Sequence, residues 1–414
     1  MDTIVERCCG LDIHKDTVVA CIRWPGKGGN RNQETRTFRT FTADLLTLRD
    51  WITAMEVTLV GMESTGVYWK PVFYILEDDV ECWVLNARHL KGVPGRKTDV
   101  CDAEWICRLL EHGLVRPSFV PPKEIRELRD LTRYRRTQIE ERSREAQRLD
   151  KVLQDAGIKL SSVATDVLGK SGREMLTAII SGTKNPEVLA ELAKGRLRAK
   201  IPELRHALEG RFTAHHGLII AKILAKLDFL EETIEDLSAE IEVVIVPFTD
   251  EADLLDTIVG VDRITAQCLI AEIGVDMARF GDSAHLASWA GRCPGNNSSA
   301  GRRKSGRTTK GSKWLAATLA QAAEAAGRSK DTYLSAQFAR IRGRRGLRPP
   351  EARTAVAHSI LVAAYHILDK KVPYQDLGAD WFIKRRPEAH ARRLAKQIEA
   401  LGFTVTIEAA DKAA

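Results

Sequence analysis

Residues 4–24 read IVERCCGLDIHKDTVVACIRW. A β-rich run from Ile4 to Asp12 turns at His14, Lys15 and Asp16 and returns through TVVACIRW, which predicts a hairpin. Working outward, PGKGGNRNQ (25–33) is a turn and ETRTFRTFT (34–42) a third strand. ADLLTLRDWITAM (43–55) reads as a helix, and VTLVGME (57–63) as an apolar fourth strand ending at Glu63. Ser64 or Thr65 is expected to cap the next helix, VYWKPVFYILED (67–78). VECWVL (80–85) supplies a fifth strand, and KTDVCDAEWICRLLEHG (97–113) an amphipathic helix closed by Gly113. The order β-β-β-α-β-α-β-α predicts an α/β layer fold, in a first domain spanning residues 1–115.

A proline-rich stretch, RPSFVPP (116–122), opens a helical linker expected over 116–250. Residues 123–155 form a charge-rich helix. Ile220, Ile223, Leu227, Leu230, Ile234, Leu237, Ile241 and Val244 then fall at alternating spacings of three and four, ending before Pro247. That seam predicts a coiled coil, paired either with helix 123–155 or with another subunit. The remaining domain, 251–414, is mostly helical. Residues 252–291 read as helix, turn at Gly260, and helix, similar to a helix-hairpin-helix element whose turn amides meet a DNA phosphate, although Arg263 stands where a second glycine is common. Alanine-rich helices are expected over 314–328 and 351–369, separated by an arginine-rich run.

Of the 414 residues 44% are hydrophobic and 29% charged, a balance that excludes a mostly disordered chain. No apolar window reaches a membrane span, and the acidic N-terminus lacks signal-peptide character, so a cytoplasmic, nucleoid-associated protein is expected. The eight cysteines show no CxxC pair, which excludes a disulfide framework or a zinc site. The net charge of +7 divides unevenly. Residues 1–113 hold 14 basic and 17 acidic side chains, residues 114–250 hold 23 and 22, and residues 251–414 hold 26 and 17. A basic tail of net +9 indicates a polyanionic partner.

Four acids of the head fall where one fold would gather them: Asp12 at the end of the first strand, Glu63 ending the fourth, and Asp99 and Asp102 on one face at the start of the last helix. Clustered carboxylates repel unless a divalent cation neutralises them, and oxygen-only ligation suits Mg²⁺. Asp16, Asp78, Asp79 and Glu104 read as surface acids. In the tail, the run from Arg292 to Lys313 carries Arg292, Arg302, Arg303, Lys304, Arg307, Lys310 and Lys313 with no acid, a composition suited to phosphate contact. Ser298 and Ser299 lie within it. A serine hydroxyl attacks a phosphodiester where arginines stabilise the developing charge, but by residue type alone both serines read as turn residues.

GLDIHKDTVVACI, GMESTGVYW, KTDVCDAEWICRLL and ASWAGRCPGNNSSAGRRKSGRTTKGSKW together resemble the DEDD transposases of bacterial insertion sequences, the bridge-RNA-guided serine recombinases that also include Piv-type DNA invertases. The resemblance runs from about residue 8 to 370. It implies a ribonuclease-H/RuvC-like N-terminal domain, a coiled-coil linker and a C-terminal domain bearing a catalytic serine. Asp12, Glu63, Asp99 and Asp102 match the tetrad that holds Mg²⁺. Ser299, followed by Ala300 and Gly301, matches the serine, with Ser298 beside it. The implied activity is cutting and rejoining of donor and target double-stranded DNA through a phosphoserine, guided by a bridge RNA. The implied assembly is a dimer or tetramer whose active sites combine residues of different subunits. A RuvC-like metal-dependent endonuclease without serine catalysis is the alternative. An actin-like ATPase is disfavoured because no adenosine-binding Gly-Gly motif is present, and a purely DNA-binding assembly protein leaves the acidic set without a role.

Overall fold

The structure, a computed structural model, describes residues 3–64, 66–87, 90, 101–294, 297–300, 302–305, 308–343 and 349–408. The chain divides into two compact units, Met1–Pro121 and Pro122–Ala414.

In the first unit the two expected apolar runs pair as β1 (Cys8–Ile13) and β2 (Thr17–Pro25). With β3 (Arg31–Arg39), β4 (Leu59–Glu63) and β5 (Glu81–Leu85) they form one sheet of order β3-β2-β1-β4-β5. β1/β2 and β2/β3 are antiparallel, whereas β1/β4 and β4/β5 are parallel. Between the strands lie α1 (Thr42–Ala54) and α2 (Trp69–Leu76), and α3 (Asp102–Glu111) follows the last strand. The sheet is covered on both faces, because alternate residues of a strand point to opposite sides. Cys9, Leu11, Ile13, Val60 and Met62 pack with residues of α1 and α2. Cys8, Leu59 and Leu85 pack with Ala103, Ile106, Cys107 and Leu110 of α3.

Two glycines set the depth of α3. Gly10 and Gly61 are register partners on β1 and β4. A Cβ at Gly10 would sit 2.2 Å from the Ala103 carbonyl oxygen, and one at Gly61 would sit 2.5 Å from Leu110 Cδ1. α3 therefore lies in a trough that any side chain at these positions would fill. The far end of α3 is tied by buried Glu111, which pairs with Arg23 of β2 and Arg31 of β3, and whose carbonyl oxygen accepts from Ile4 N at 2.8 Å. α3 thus runs against β1 and starts beside the C-terminal ends of β1 and β4.

One local expectation fails. Ser64 does not cap α2, which begins at Trp69 with no side-chain cap; Thr65 lies outside the described residues. Gly66, at φ +57°, turns the chain first, and Ser64 N donates to Leu85 O at 2.9 Å, which prolongs the strand instead.

The second unit is built on two long antiparallel helices, α4 (Lys123–Asp155) and α5 (Ala214–Val244). Arg142 meets Glu231 at 2.6 Å, Glu145 meets Lys226 at 2.7 Å, and Asp155 meets His216 at 3.1 Å. The apolar seam of α5 thus faces the chain's own helix. Ile220, Ile223, Leu227, Leu230 and Ile241 are buried, while Ile234, Leu237 and Val244 are half-buried. The seam loosens because the middle of α4 buries polar Arg135, Gln138 and Glu145 rather than aliphatic side chains. Short helices between residues 160 and 207 close one end around Leu149, Leu153 and Leu204. The other end is a larger core holding α6 (Thr249–Asp256), α7 (Arg263–Ile273), α8 (Ser283–Trp289), α9 (Lys313–Arg328), α10 (Tyr333–Arg342) and α11 (Pro349–Lys370).

The expected helix–turn–helix is α6 and α7, but its turn faces inward. Gly260, at φ +86°, approaches α9 so closely that a Cβ would meet the Ala322 oxygen at 2.5 Å. The first amides of α7 already have an acceptor, since Asp262 takes a hydrogen bond from Thr265 N at 2.8 Å. A phosphate at this helix start would meet a carboxylate. No helix among the described residues is long and apolar enough to cross a membrane.

Candidate active site

The acidic set occupies one end of the sheet in the first unit. The β1/β4 register ends with Leu11 opposite Met62, and its next step sets Asp12 opposite Glu63. Both lie two residues beyond the paired glycines, so they share the face that α3 covers. Asp102 is the first residue of α3, at the end of the helix that favours negative charge. Three of the four expected acids therefore lie toward one end of the sheet, Asp12 and Glu63 at the C-terminal ends of β1 and β4 and Asp102 at the start of the helix packed on them. Asp99 lies outside the described residues. Asp12 retains 19% side-chain exposure, and one of its oxygens is 3.2 Å from His14 Nε2. His14 is a neighbour that sequence reasoning passed over, though it stands two residues on in the same strand-and-turn. Among the described residues no three His, Cys, Asp or Glu side chains are drawn close enough to hold a metal ion. The donor chemistry nevertheless suits a hard divalent cation, because the converging groups are carboxylates. Asp16, Asp78 and Asp79 are exposed and Glu104 is half-buried, apart from the cluster.

The serine lies in the second unit, on an excursion between α8 and α9 that is pinched at its base. A Cβ at Gly291, at φ +64°, would meet the Thr309 oxygen at 2.5 Å, and one at Gly311 would meet the Ala290 oxygen at 2.2 Å. Pro294 bridges to Thr308 just above. The excursion then forms a ribbon of β6 (Asn297–Ser299) and β7 (Arg302–Ser305), with Ser299 opposite Arg302 and Ser298 opposite Arg303. Ala300 turns at φ +50°, so Ser299 is the last strand residue before the tip.

The basic residues divide around this hairpin. Arg302, Lys310 and Lys313 are exposed, and Lys313 Nζ lies 4.8 Å above the Trp314 ring. Arg303 and Lys304 are on β7, and Arg307 lies outside the described residues. Arg292 is half-buried at the base. Its Nε is buried with no hydrogen-bond partner among the described residues, and burial lowers its pKa below the usual arginine value.

The return end of the excursion is held by a polar cluster that the sequence did not single out. Ser312 caps α9 and donates to Glu272 Oε2 at 2.8 Å. Glu272 is 3% exposed and accepts two hydrogen bonds from Arg133, at 2.7 and 3.0 Å. Arg129 donates to the carbonyl oxygens of Ala271 and Glu272, and burial pulls its pKa down to about 10. In sequence Arg129 and Arg133 are two cations of a charge-rich helix, with nothing to mark them as half-buried.

A family model for the IS110-type DEDD transposase, described as transposase, matches residues 9–158. A second, described as the transposase IS116/IS110/IS902 family, matches residues 252–339. No match to a curated protein was found. The first match takes in Asp12, Glu63 and Asp102, the second takes in the serine hairpin, and together they span more than half of the chain. The chain belongs to the IS110 family of DEDD transposases, enzymes that recombine DNA.

Proposed function

We propose that this transposase cuts and rejoins DNA through a covalent phosphoserine at Ser299, with Asp12, Glu63, Asp99 and Asp102 as the acidic tetrad of the same reaction. The observation that supports the reading is the backbone placement of Asp12 and Glu63 one step beyond the last β1/β4 register pair, on the face packed by the helix that begins at Asp102. The strand order, with three antiparallel strands followed by two parallel ones, supports a ribonuclease-H/RuvC-like domain over residues 1–115. In this reading residues 116–250 are the linker and 251–414 the serine domain.

Ser299 Oγ forms a bond to phosphorus as the phosphorus–deoxyribose oxygen bond breaks. The serine loses a proton and the departing oxygen gains one. One phosphodiester replaces another, so a strand-end hydroxyl can reverse the exchange without external energy. Arg292, Arg302, Arg303, Lys304, Arg307, Lys310 and Lys313 neutralise the backbone phosphates, and the narrow base of the hairpin fixes where the serine is delivered. The carboxylates would hold Mg²⁺, which supplies charge stabilisation for the attacking and leaving oxygens. Guidance by a bridge RNA and assembly as a dimer or tetramer complete the reading, as the family resemblance implies.

The test uses end-labelled donor DNA with the purified protein and its co-purifying nucleic acid. The wild type is expected to yield a denaturant-resistant protein–DNA adduct, and Ser299→Ala none. Asp12→Asn should bind DNA normally yet form no adduct. Recombination by Ser299→Ala at the wild-type rate would refute the serine assignment and leave a water-using nuclease. RNA of one defined length in the preparation supports guiding, and its absence at low salt counts against it.

A further inference from the structure

Residues 194–200, KGRLRAK, carry four basic side chains and no acid, inside a linker that is almost neutral as a whole. They form a 3₁₀ turn, Gly195–Lys200, packed beside the helix Lys170–Ile180. The two segments line one groove of about 440 Å³. Lys170, Lys194, Arg196 and Lys200 all reach it, against Asp166 as its single acid. All four cations are exposed. Lys194 pairs with Glu174, and Lys200 donates to the Val163 oxygen at 3.1 Å. The side chains of Lys170 and Arg196 have no hydrogen bond or ion pair among the described residues.

The remaining lining narrows the ligand. It contains no aromatic ring for a base to stack on and no Asn or Gln to read a base edge. What it offers is positive charge and the hydroxyls of Thr165 and Ser171. Such a surface recognises a phosphate backbone and ignores its sequence.

We propose that this groove binds the phosphodiester backbone of the double-stranded DNA on which the transposase acts, apart from the serine hairpin. Duplex DNA is favoured over single-stranded RNA because the latter is held chiefly by stacking, for which the groove has no ring. The inference rests on membership of a DNA transposase family and not on the serine or metal assignments.

The test is a salt titration of full-length protein on a duplex of about 30 base pairs unrelated to any insertion-sequence end, read by fluorescence anisotropy. Each phosphate contact contributes roughly 0.9 to the slope of log affinity against log salt. Lys170→Ala/Arg196→Ala should lower that slope by about 1.8, so that between 50 and 200 mM salt the wild type loses about tenfold more affinity than the variant. Lys170→Arg/Arg196→Lys, which keeps both charges, should restore it. Lys222→Ala/Lys330→Ala removes the same charge from exposed positions outside the groove and should leave the slope unchanged. A groove variant that behaves like this control overturns the proposal. So does a slope change seen only with single-stranded RNA of the same length.

Discussion

Alanine at Gly10 tests whether the position of α3 controls the reaction. The new methyl would lie 2.2 Å from the Ala103 oxygen, 2.5 Å from Cys107 N and 3.0 Å from Cys107 Cβ. Two of these three atoms belong to the main chain of α3, so no rotamer change relieves the clash. Restoring an ordinary contact of about 3.3 Å requires α3 to lift by about 1 Å. Asp102 directly precedes Ala103 and moves with it, while Asp12 and Glu63 stay on their strands. Overpacking of this kind costs about 1–3 kcal/mol of stability, and a misplacement of about 1 Å at a reacting centre costs about 100-fold in rate. Gly61→Ala is the comparison. Its nearest atoms, 2.5 to 3.0 Å away, belong to the Leu110 side chain near the other end of α3, which can rotate aside. A similar stability loss but a rate loss below about tenfold is expected there. The assay is recombination of plasmid substrates in parallel with urea denaturation. If Gly10→Ala matched Gly61→Ala in rate at equal stability, the link from glycine to Asp102 would be wrong.

Glu145, on the buried face of α4, takes a hydrogen bond from Lys226 and pairs with Arg148, and these cations hold its carboxyl below the usual glutamate pKa. A lowered folded pKa gives stability that is complete above the unfolded value of about 4.3 and is lost as pH falls through the folded one. The difference in urea midpoint between wild type and Glu145→Gln should therefore be widest at neutral pH and shrink below about pH 4; a gap that is constant with pH would contradict the pairing. Glu272→Gln leaves Arg133 without its bidentate partner. Because the Arg133 side chain is 32% exposed, water screens part of the loss, and about 1–3 kcal/mol is expected from denaturation. Adduct formation should fall beyond what that unfolding explains, since the single amide oxygen of glutamine cannot serve both Arg133 and Ser312 at the base of the hairpin as the two carboxylate oxygens do.

Much of the first unit is written locally. Apolar runs separated by turn residues mark β1, β2, β4 and β5, whereas the polar β3 begins at Arg31, three residues before the expected start; Gly113, at φ +63°, ends α3 where the sequence places the stop. The long helices are equally plain, as Lys123–Asp155 and Ala214–Val244 follow their charge and apolar periodicity. Periodicity gives the face that a residue occupies but not what lies opposite. Arg135 and Glu145 belong to a helix that reads only as charge-rich, yet they are buried, where Gln267 and Lys226 reach them from distant elements. The cap assigned to Ser64 failed for a related reason. A capping serine is recognised by its neighbours in sequence, whereas here a strand from elsewhere supplied the Leu85 oxygen and kept the chain extended.

The two pairs of close-approach glycines carry the same argument into the site. At Gly10 and Gly61, and again at Gly291 and Gly311, the missing side chain is filled by another segment of backbone or by a packed side chain. One pair lets α3, which begins at Asp102, lie close against β1 and β4, the strands that bear Asp12 and Glu63. The other brings the chain back on itself, so that the hairpin bearing Ser299 projects from a fixed base rather than from two independent loops. A glycine in isolation signals only conformational freedom. Its requirement here comes from the element packed against it, which in the first unit is about 90–100 residues away from Gly10 and about 50 from Gly61. The acids and the serine are therefore legible as residue types, while the backbone that positions each set within its own unit is fixed at glycines where the sequence shows no chemistry at all.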